Sequence, residues 1–429
     1  MLAARIVVSG GLLALTLTFL LGWLAFRERD FSRTIIDNLG DLESELAALR
    51  STLRIPGMSA AIAENERVVW SRGFGMAVTE RGIPAGDDTI YHLASLTKPY
   101  ASTVLLQLVQ EGHLDLDAPV SQFGIAMTRK TPVKVWHLLS HTSDEPPGTR
   151  YRYDGNAFGR LTEVIERASG RPFARELANR IIRPLGLTHT APNPGDPHGF
   201  RSLFGSVDVG SDDVARARSE FAASGVERRQ IESALAQGYA RSWGRWIWPT
   251  GLFGPMQPMP HGFTLSATAG LAASVSDVAR FSMALDEGRL LSDAVRARAW
   301  TPPSASDGRP LPYALGWFVQ EHRGYHIVWH YGHGLESSSL IVKIPDRRVT
   351  FVILANSDGL SRWRGLGNDA DVSASPAATL FLNWYSSRTQ RQHPQTVGHT
   401  NGPATTEVSI RASHRIVLVR AQDFHWVEL

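Results

Sequence analysis

The chain has 429 residues, with 44 Lys and Arg against 41 Asp and Glu, for a net charge of +3. That near balance, with no block of like charges, argues against a nucleic-acid partner, and the absence of cysteine excludes disulfides, thiol catalysis and cysteine metal sites. The length suffices for a large core and predicts two lobes.

Residues 6–26 carry no charge and are mostly apolar. As a helix they would span about 31 Å, which matches a bilayer core. A cleaved secretory signal is the rival reading. It has a shorter apolar centre and small residues before the cut, whereas the exit here is Gly22-Trp-Leu-Ala-Phe-Arg27. An uncleaved single-pass anchor over residues 1–30 is therefore expected, with the membrane as partner. Arg27, Arg29 and Arg33 after the span outweigh Arg5 before it, so charge alone leans toward a cytoplasmic body.

After the anchor, Leu39, Leu42, Leu46, Leu49 and Leu53 form the apolar stripe of a helix that Asp41 would cap and Gly57 would end. Met58 to Ala63 and Arg67 to Phe74 read as strands joined by the polar turn Glu64-Asn65-Glu66. A helix starts near Ser95, carrying Val104, Leu105, Leu108 and Val109 at helical spacing. Further helices are expected at Val133–Leu139, Leu161–Ala168, Ala174–Ile182, Asp212–Ala223 and Ser276–Leu285. Residues 239 to 263 set Tyr239, Trp243, Trp246, Trp248, Phe253 and Phe263 among glycines and prolines, which fits either a substrate lid or a loop packed on the core.

Strand character returns at Leu315–Gln320, Tyr325–Tyr331, Ser337–Ile344 and Val349–Leu354. Strands thus lie at both ends of the body and helices between them. The expected fold class is α/β (α+β): one antiparallel sheet built from both ends of the domain, flanked by helices, with an all-helical lobe inserted at about residues 100–300. Pro376 to Tyr385 would cover that sheet. The catalytic body is expected to span 31–387. Residues 388–429 read as a polar linker with a short extension, in which Val408–Ile410 and Ile416–Val419 would pair as a hairpin.

The chemistry centres on Ser95-Leu-Thr-Lys98. Residues three apart share a helical face, roughly 5–6 Å apart at Cβ, so the amine reaches the hydroxyl. A serine needs a base, and a lysine desolvated below its usual pKa of about 10.4 can serve. Arginine cannot. The chain has only four lysines, Lys98, Lys130, Lys134 and Lys343, and this is its one Ser-x-x-Lys pairing. Tyr153 is a candidate proton carrier if cations favour its phenolate. At the end of a predicted strand, His330 and Gly332 point to one side, where the glycine would let a ligand backbone lie against the edge and the histidine would donate to a carbonyl or carboxylate. His330 and His333 point to different sides and lack a carboxylate pattern, so no metal site is read there. There is no Gly-x-Ser-x-Gly elbow, Walker loop or dinucleotide fingerprint, and no cofactor is called for.

Together these segments resemble the serine β-lactamase, penicillin-binding and DD-peptidase superfamily, in the branch of class C β-lactamases and related esterases. The resemblance runs from about Ile55 to Tyr385. It rests on Ser95-Leu-Thr-Lys98, Leu138-Leu-Ser-His-Thr-Ser143, Tyr153 with Leu161–Gly170, Ala269–Ser274 with Asp277, Leu315-Gly-Trp317 and His330-Tyr-Gly332. It implies a sheet-and-helix fold with a helical lobe, a membrane-anchored serine hydrolase acting on a small-molecule or peptide ester or amide, and a catalytic domain outside the cytoplasmic membrane. By resemblance, Ser95 is the acyl-enzyme nucleophile, Lys98 its base partner and Tyr153 the proton shuttle. His330 opens the family's Lys/His-Thr-Gly triplet, and the N–H groups of Ser95 and His333 form the oxyanion hole. Where the family has Tyr-x-Asn the chain has Tyr153-Asp154-Gly155, with Asn156 one residue late, and Asp144 replaces a glycine. These departures, with His330, imply weak or no β-lactam hydrolysis. The alternative is a penicillin-binding-like sensor with no turnover.

Overall fold

The structure, a computed structural model, describes residues 31–194, 211–243, 246–247, 256–259, 264–305, 307–361 and 366–392. The expected anchor at 6–26, the residues Trp248, Phe253 and Phe263, and the expected linker beyond residue 392 with its hairpin lie outside these. Among the described residues no helix is long and apolar enough to cross a membrane.

Strands in chain order are β1 (Gly57–Glu64), β2 (Arg67–Val78), β3 (Ile83–Pro84), β4 (Tyr91–His92), β5 (Thr190–Pro192), β6 (Gly238–Trp243), β7 (Trp246–Ile247), β8 (Met256–Met259), β9 (Leu271–Ala273), β10 (Phe318–His322), β11 (Tyr325–His333), β12 (Ser338–Ile344) and β13 (Val349–Ala355). The helices used below are α1 (Leu39–Leu53), α2 (Thr97–Gln110), α3 (Gly155–Gly159), α4 (Leu161–Ser169), α5 (Val275–Asp286) and α6 (Pro376–Gln392). The main sheet has seven strands in the order β10-β11-β12-β13-β1-β2-β3. Its pairings are antiparallel. The first and last parts of the domain therefore meet at β1 and β13, as the two-ended strand pattern predicts.

Both faces of this sheet are covered, which explains why β1 and β13 read as continuous apolar runs rather than alternating ones. On β13, Thr350 bonds Ser282 of α5 at 2.8 Å while the neighbouring Phe351 stacks on Phe381 of α6 at 5.0 Å. Adjacent strand residues point to opposite faces, so α5 and α6 sandwich the sheet. The tight turn between β1 and β2 places Asn65 and Glu66 at φ 48° and 69°, the paired left-handed conformations that a two-residue hairpin requires.

Four expectations need correction. Asn38, not Asp41, caps α1: its side chain accepts from Asp41 N, and Asp41 answers from the third helical position in a capping box. The same helix ends at Arg54, left-handed at φ 53°, before Gly57 is reached. The region between the two sheet halves is not all helical. It carries two three-stranded sheets, β4-β9-β5 and β7-β6-β8, and the second occupies much of the aromatic stretch. Finally, Arg388 still belongs to α6, where it pairs with Glu64 at 3.0 Å, so helix persists into the stretch read as linker.

Candidate active site

Ser95 sits in a single 3-10 turn, Ala94–Leu96, that runs directly into α2. The turn is fixed at Leu93: its N–H donates to Leu271 O of β9 at 2.9 Å, and its carbonyl accepts from Ser339 Oγ of β12 at 2.7 Å. Ala94 is held at φ 46°, a left-handed conformation that costs an ordinary residue about 1–2 kcal/mol. Two strands from different sheets thus grip the residue before the strained one, and the half-buried serine is presented at the mouth of the helix.

One turn on, Lys98 is fully buried and its Nζ lies 2.8 Å from Ser95 Oγ. Nζ also donates to Thr268 O at 3.3 Å and stands 5.0 Å over the Tyr153 ring and 5.5 Å over Phe158. Among the described residues no carboxylate touches it. Burial pulls its pKa from 10.5 down to about 7, partly opposed by the charge of Asp154. The amine is therefore divided between its neutral and charged forms near neutral pH, as a base for Ser95 requires.

Tyr153 meets the pair ring-first, which departs from the expected phenolate. Its hydroxyl is buried without a hydrogen-bond partner, and burial raises its pKa well above the ordinary tyrosine value. Ser95 is near enough to favour the phenolate slightly, but the two hydroxyls do not meet bonding geometry. Tyr153 is thus a neutral phenol in this state, which has a proton to give and cannot take one.

His330 is also buried with both nitrogens occupied: Nδ1 donates to Tyr331 O at 2.7 Å, and Nε2 accepts from Tyr313 Oη at 2.9 Å. The expected free donor toward a ligand is absent because Tyr313 occupies that position. Gly332 differs from expectation too. A Cβ there would stand 2.0 Å from Leu93 O and 2.3 Å from Ser339 Oγ, so its bare face seats the turn that carries Ser95 rather than a ligand backbone.

Strand parity assigns the His333 N–H. Gly334 N donates to Ser337 O at 2.8 Å across the β11–β12 turn, and His333 pairs with Ser338 one step further on. Antiparallel bonding alternates, so the His333 N–H points away from β12. On that side β10 pairs only with Tyr325–Trp329, which leaves this N–H at an uncovered edge. The His333 ring itself turns to Ser361 Oγ at 3.0 Å.

Asn156 does not replace the missing amide. Asp154 caps α3 by accepting from Ala157 N, so position 155 is the first helical residue. A Cβ on Gly155 would lie 4.0 Å from Lys98 Nζ. One residue later the helix has turned by about 100°, and Asn156 is exposed.

His141, within Leu138-Leu-Ser-His-Thr-Ser143, has no role that the sequence alone reveals. It is buried, left-handed at φ 54°, and packs its ring 4.4 Å from that of Tyr153. Asp154 N donates to its Nδ1 at 3.0 Å, so the neutral ring carries its proton on Nε2, a buried donor with no partner. Asp144 ties this loop by pairing with Arg152 and with Arg129 at 3.6 Å. Thr268 and Phe158, which touch Lys98, carry no sequence signal. Among the described residues no three His, Asp or Glu gather as metal ligands.

The beta-lactamase family's sequence profile matches residues 39–375. A D-aminopeptidase of Gluconobacter oxydans is 24% identical over 351 residues, covering 73% of this chain and 58% of the relative. Esterase EstB of Burkholderia gladioli is 26% identical over 275 residues, covering 53% and 64%. The chain thus spans about three-fifths of the length of these relatives. The octameric penicillin-binding protein homologue from Pyrococcus abyssi superposes with a TM-score of 0.60 at 22% identity, over 83% of this chain and 82% of that one, a likeness of fold. With its profile match running from α1 to the threshold of α6, the chain belongs to the beta-lactamase family.

Proposed function

We propose that this chain is a serine hydrolase of peptidase or esterase type, cleaving an ester or amide through a Ser95 acyl-enzyme. The observation that carries the reading is a lysine amine, fully buried, without a carboxylate partner among the described residues, 2.8 Å from a serine hydroxyl. The names of the relatives, a D-aminopeptidase and an esterase, support that substrate class.

In the proposed cycle the neutral Lys98 amine takes the Ser95 proton as Oγ bonds to the substrate carbonyl carbon. The carbonyl π pair moves onto oxygen, which the N–H groups of Ser95 and His333 receive. As the tetrahedral carbon collapses, its bond to the alcohol or amine breaks and the leaving group takes a proton from Tyr153 or from Lys98, which the ring of Tyr153 covers. Water then adds to the acyl-serine, giving its proton back to the same base, and the acid leaves as Ser95 recovers its hydrogen. Weak or absent β-lactam turnover remains part of the proposal, on account of Gly155 and His330.

The test is labelling of the detergent-solubilised full chain by a fluorophosphonate, beside Ser95→Ala. Labelling that vanishes in the variant supports the acyl-enzyme. Absence of labelling and of ester turnover in the wild type would favour the second reading, a sensor, which Gly155 supports by depriving the site of a side chain next to Lys98. We also propose that residues 6–26 anchor the enzyme in a membrane with the hydrolase outside the cytoplasm. Their uncharged composition supports this, and recovery of the protein from the salt-washed membrane fraction, with protease access from outside, would test it.

A further inference from the structure

Two donors converge on a point where the chain has no side chain. The position a Cβ would take on Gly155 lies 4.0 Å from Lys98 Nζ and 3.4 Å from Thr268 Oγ1. Beyond its own Cε, Lys98 Nζ has three bonding directions. One meets Ser95 Oγ and one meets Thr268 O, which leaves the third without a hydrogen-bond partner among the described residues, 4.0 Å from where a Cβ on Gly155 would stand. The Thr268 hydroxyl makes no hydrogen bond among the described residues. Its methyl rests against the same helix, 3.6 Å from where a Cβ on Gly159 would stand.

The loop carrying Thr268 is firmly built. Ala267 N donates to Thr162 Oγ1 of α4 at 2.9 Å, and Leu271 N donates to Thr97 Oγ1, beside Lys98, at 3.2 Å. Leu265 N donates to the Glu220 carboxylate at 3.1 Å. Thr268 is therefore held in place from both sides. A backbone this closely fixed beside a reactive amine is the support that a precise site needs.

We propose that Thr268 is a specificity and positioning residue: its carbonyl aims the Lys98 amine, and its hydroxyl donates to a carbonyl oxygen in the acyl portion of the substrate, seated over Gly155. This rests on the hydrolase reading above. The preferred substrate then carries a second carbonyl beside the scissile one, as an N-acylated amino acid ester or amide does. A plain alkanoate ester lacks that acceptor.

The test compares two chromogenic esters on the detergent-solubilised full chain, p-nitrophenyl N-acetylglycinate and p-nitrophenyl pentanoate. Thr268→Val keeps the shape, the carbonyl and the methyl contact but loses the donor. The ratio of kcat/KM between the two esters should fall about tenfold in that variant, the worth of one hydrogen bond. Thr268→Ser should keep the wild-type ratio, guarding against a fold effect. Gly155→Asn, added to Thr268→Val, should restore the ratio, since a Cβ fits there and the amide supplies a new donor. An unchanged ratio in Thr268→Val, equal losses on both esters, or loss of the ratio in Thr268→Ser would overturn the assignment while Ser95 labelling and turnover persist. A wild type that is neither labelled nor active overturns the hydrolase reading and this inference with it.

Discussion

The pH dependence of acylation follows from one charge. An ordinary lysine, with a pKa of 10.5, is neutral in about 0.03% of molecules at pH 7, whereas Lys98 at about 7 is neutral in about half. Burial thus raises the supply of base by about a thousandfold. kcat/KM for a chromogenic ester should rise through an apparent pKa of about 7 and then level off. Asp154 is the counterweight, because its charge raises the Lys98 pKa. Asp154→Asn removes that charge and keeps an oxygen to accept from Ala157 N, so the cap on α3 survives. The ion pair lost to Arg152, at 3.4 Å on the surface, is of little consequence.

The sign is then fixed. Without the anion the ammonium is less stable, the Lys98 pKa falls, and the rising limb moves to lower pH. At pH 6 only about one-tenth of the wild-type enzyme holds a neutral amine, so the rate there can grow by at most about tenfold. On the alkaline plateau the two proteins should agree. The assay is initial-rate hydrolysis of a p-nitrophenyl ester from pH 5 to 9, corrected for background. A limb that moves upward in Asp154→Asn, or a wild-type limb near 10, refutes Lys98 as the buried base.

Tyr153→Phe keeps the ring over Lys98 and against His141 but loses the proton donor, so kcat/KM should fall by about 10²–10⁴ with an unchanged melting temperature. Gly332→Ala drives a Cβ to 2.0 Å from Leu93 O, which should cost about 1–3 kcal/mol in denaturant titration and, more sharply, slow fluorophosphonate labelling as the Ser95 turn shifts. Asp286→Ala strands the fully buried Lys343, whose Nζ it holds at 2.9 Å, and should destabilise the fold by about 3–5 kcal/mol while the remaining folded enzyme keeps its kcat.

The Ser95–Lys98 contact was legible because helical spacing is local: two residues three apart share a face wherever the helix lies. The sheet was legible because β1, β11, β12 and β13 are apolar runs long enough to stand out between turn signals. Where the reading failed, the deciding contact was distant. Strands β4, β5 and β9 have two or three residues each, too few for any pattern, and only their pairing makes them strands. The purpose of Gly332 depends on Leu93, more than two hundred residues away. Asn156 misses Lys98 because Asp154 starts the helix one residue sooner, a register that turns the amide outward. Thr268 reaches Lys98 through a carbonyl, which every residue possesses, so no residue type could have marked it.

Two lysines are completely buried in this protein, and their surroundings separate structure from chemistry. Lys343 is satisfied: Asp286 takes its charge at 2.9 Å, and Thr350 Oγ1, Ser282 O and Ser282 Oγ complete its bonds. Lys98 has a serine hydroxyl, one carbonyl and two aromatic faces, with no anion in contact among the described residues. A fold selected only for stability would have partnered or removed such an amine. Within the same few residues lie the left-handed Ala94 and His141 and the unbonded Tyr153 hydroxyl and His141 Nε2. Each departure alone has a packing explanation. Their gathering around the Ser95–Lys98 pair is what marks the place where stability is given up for reactivity.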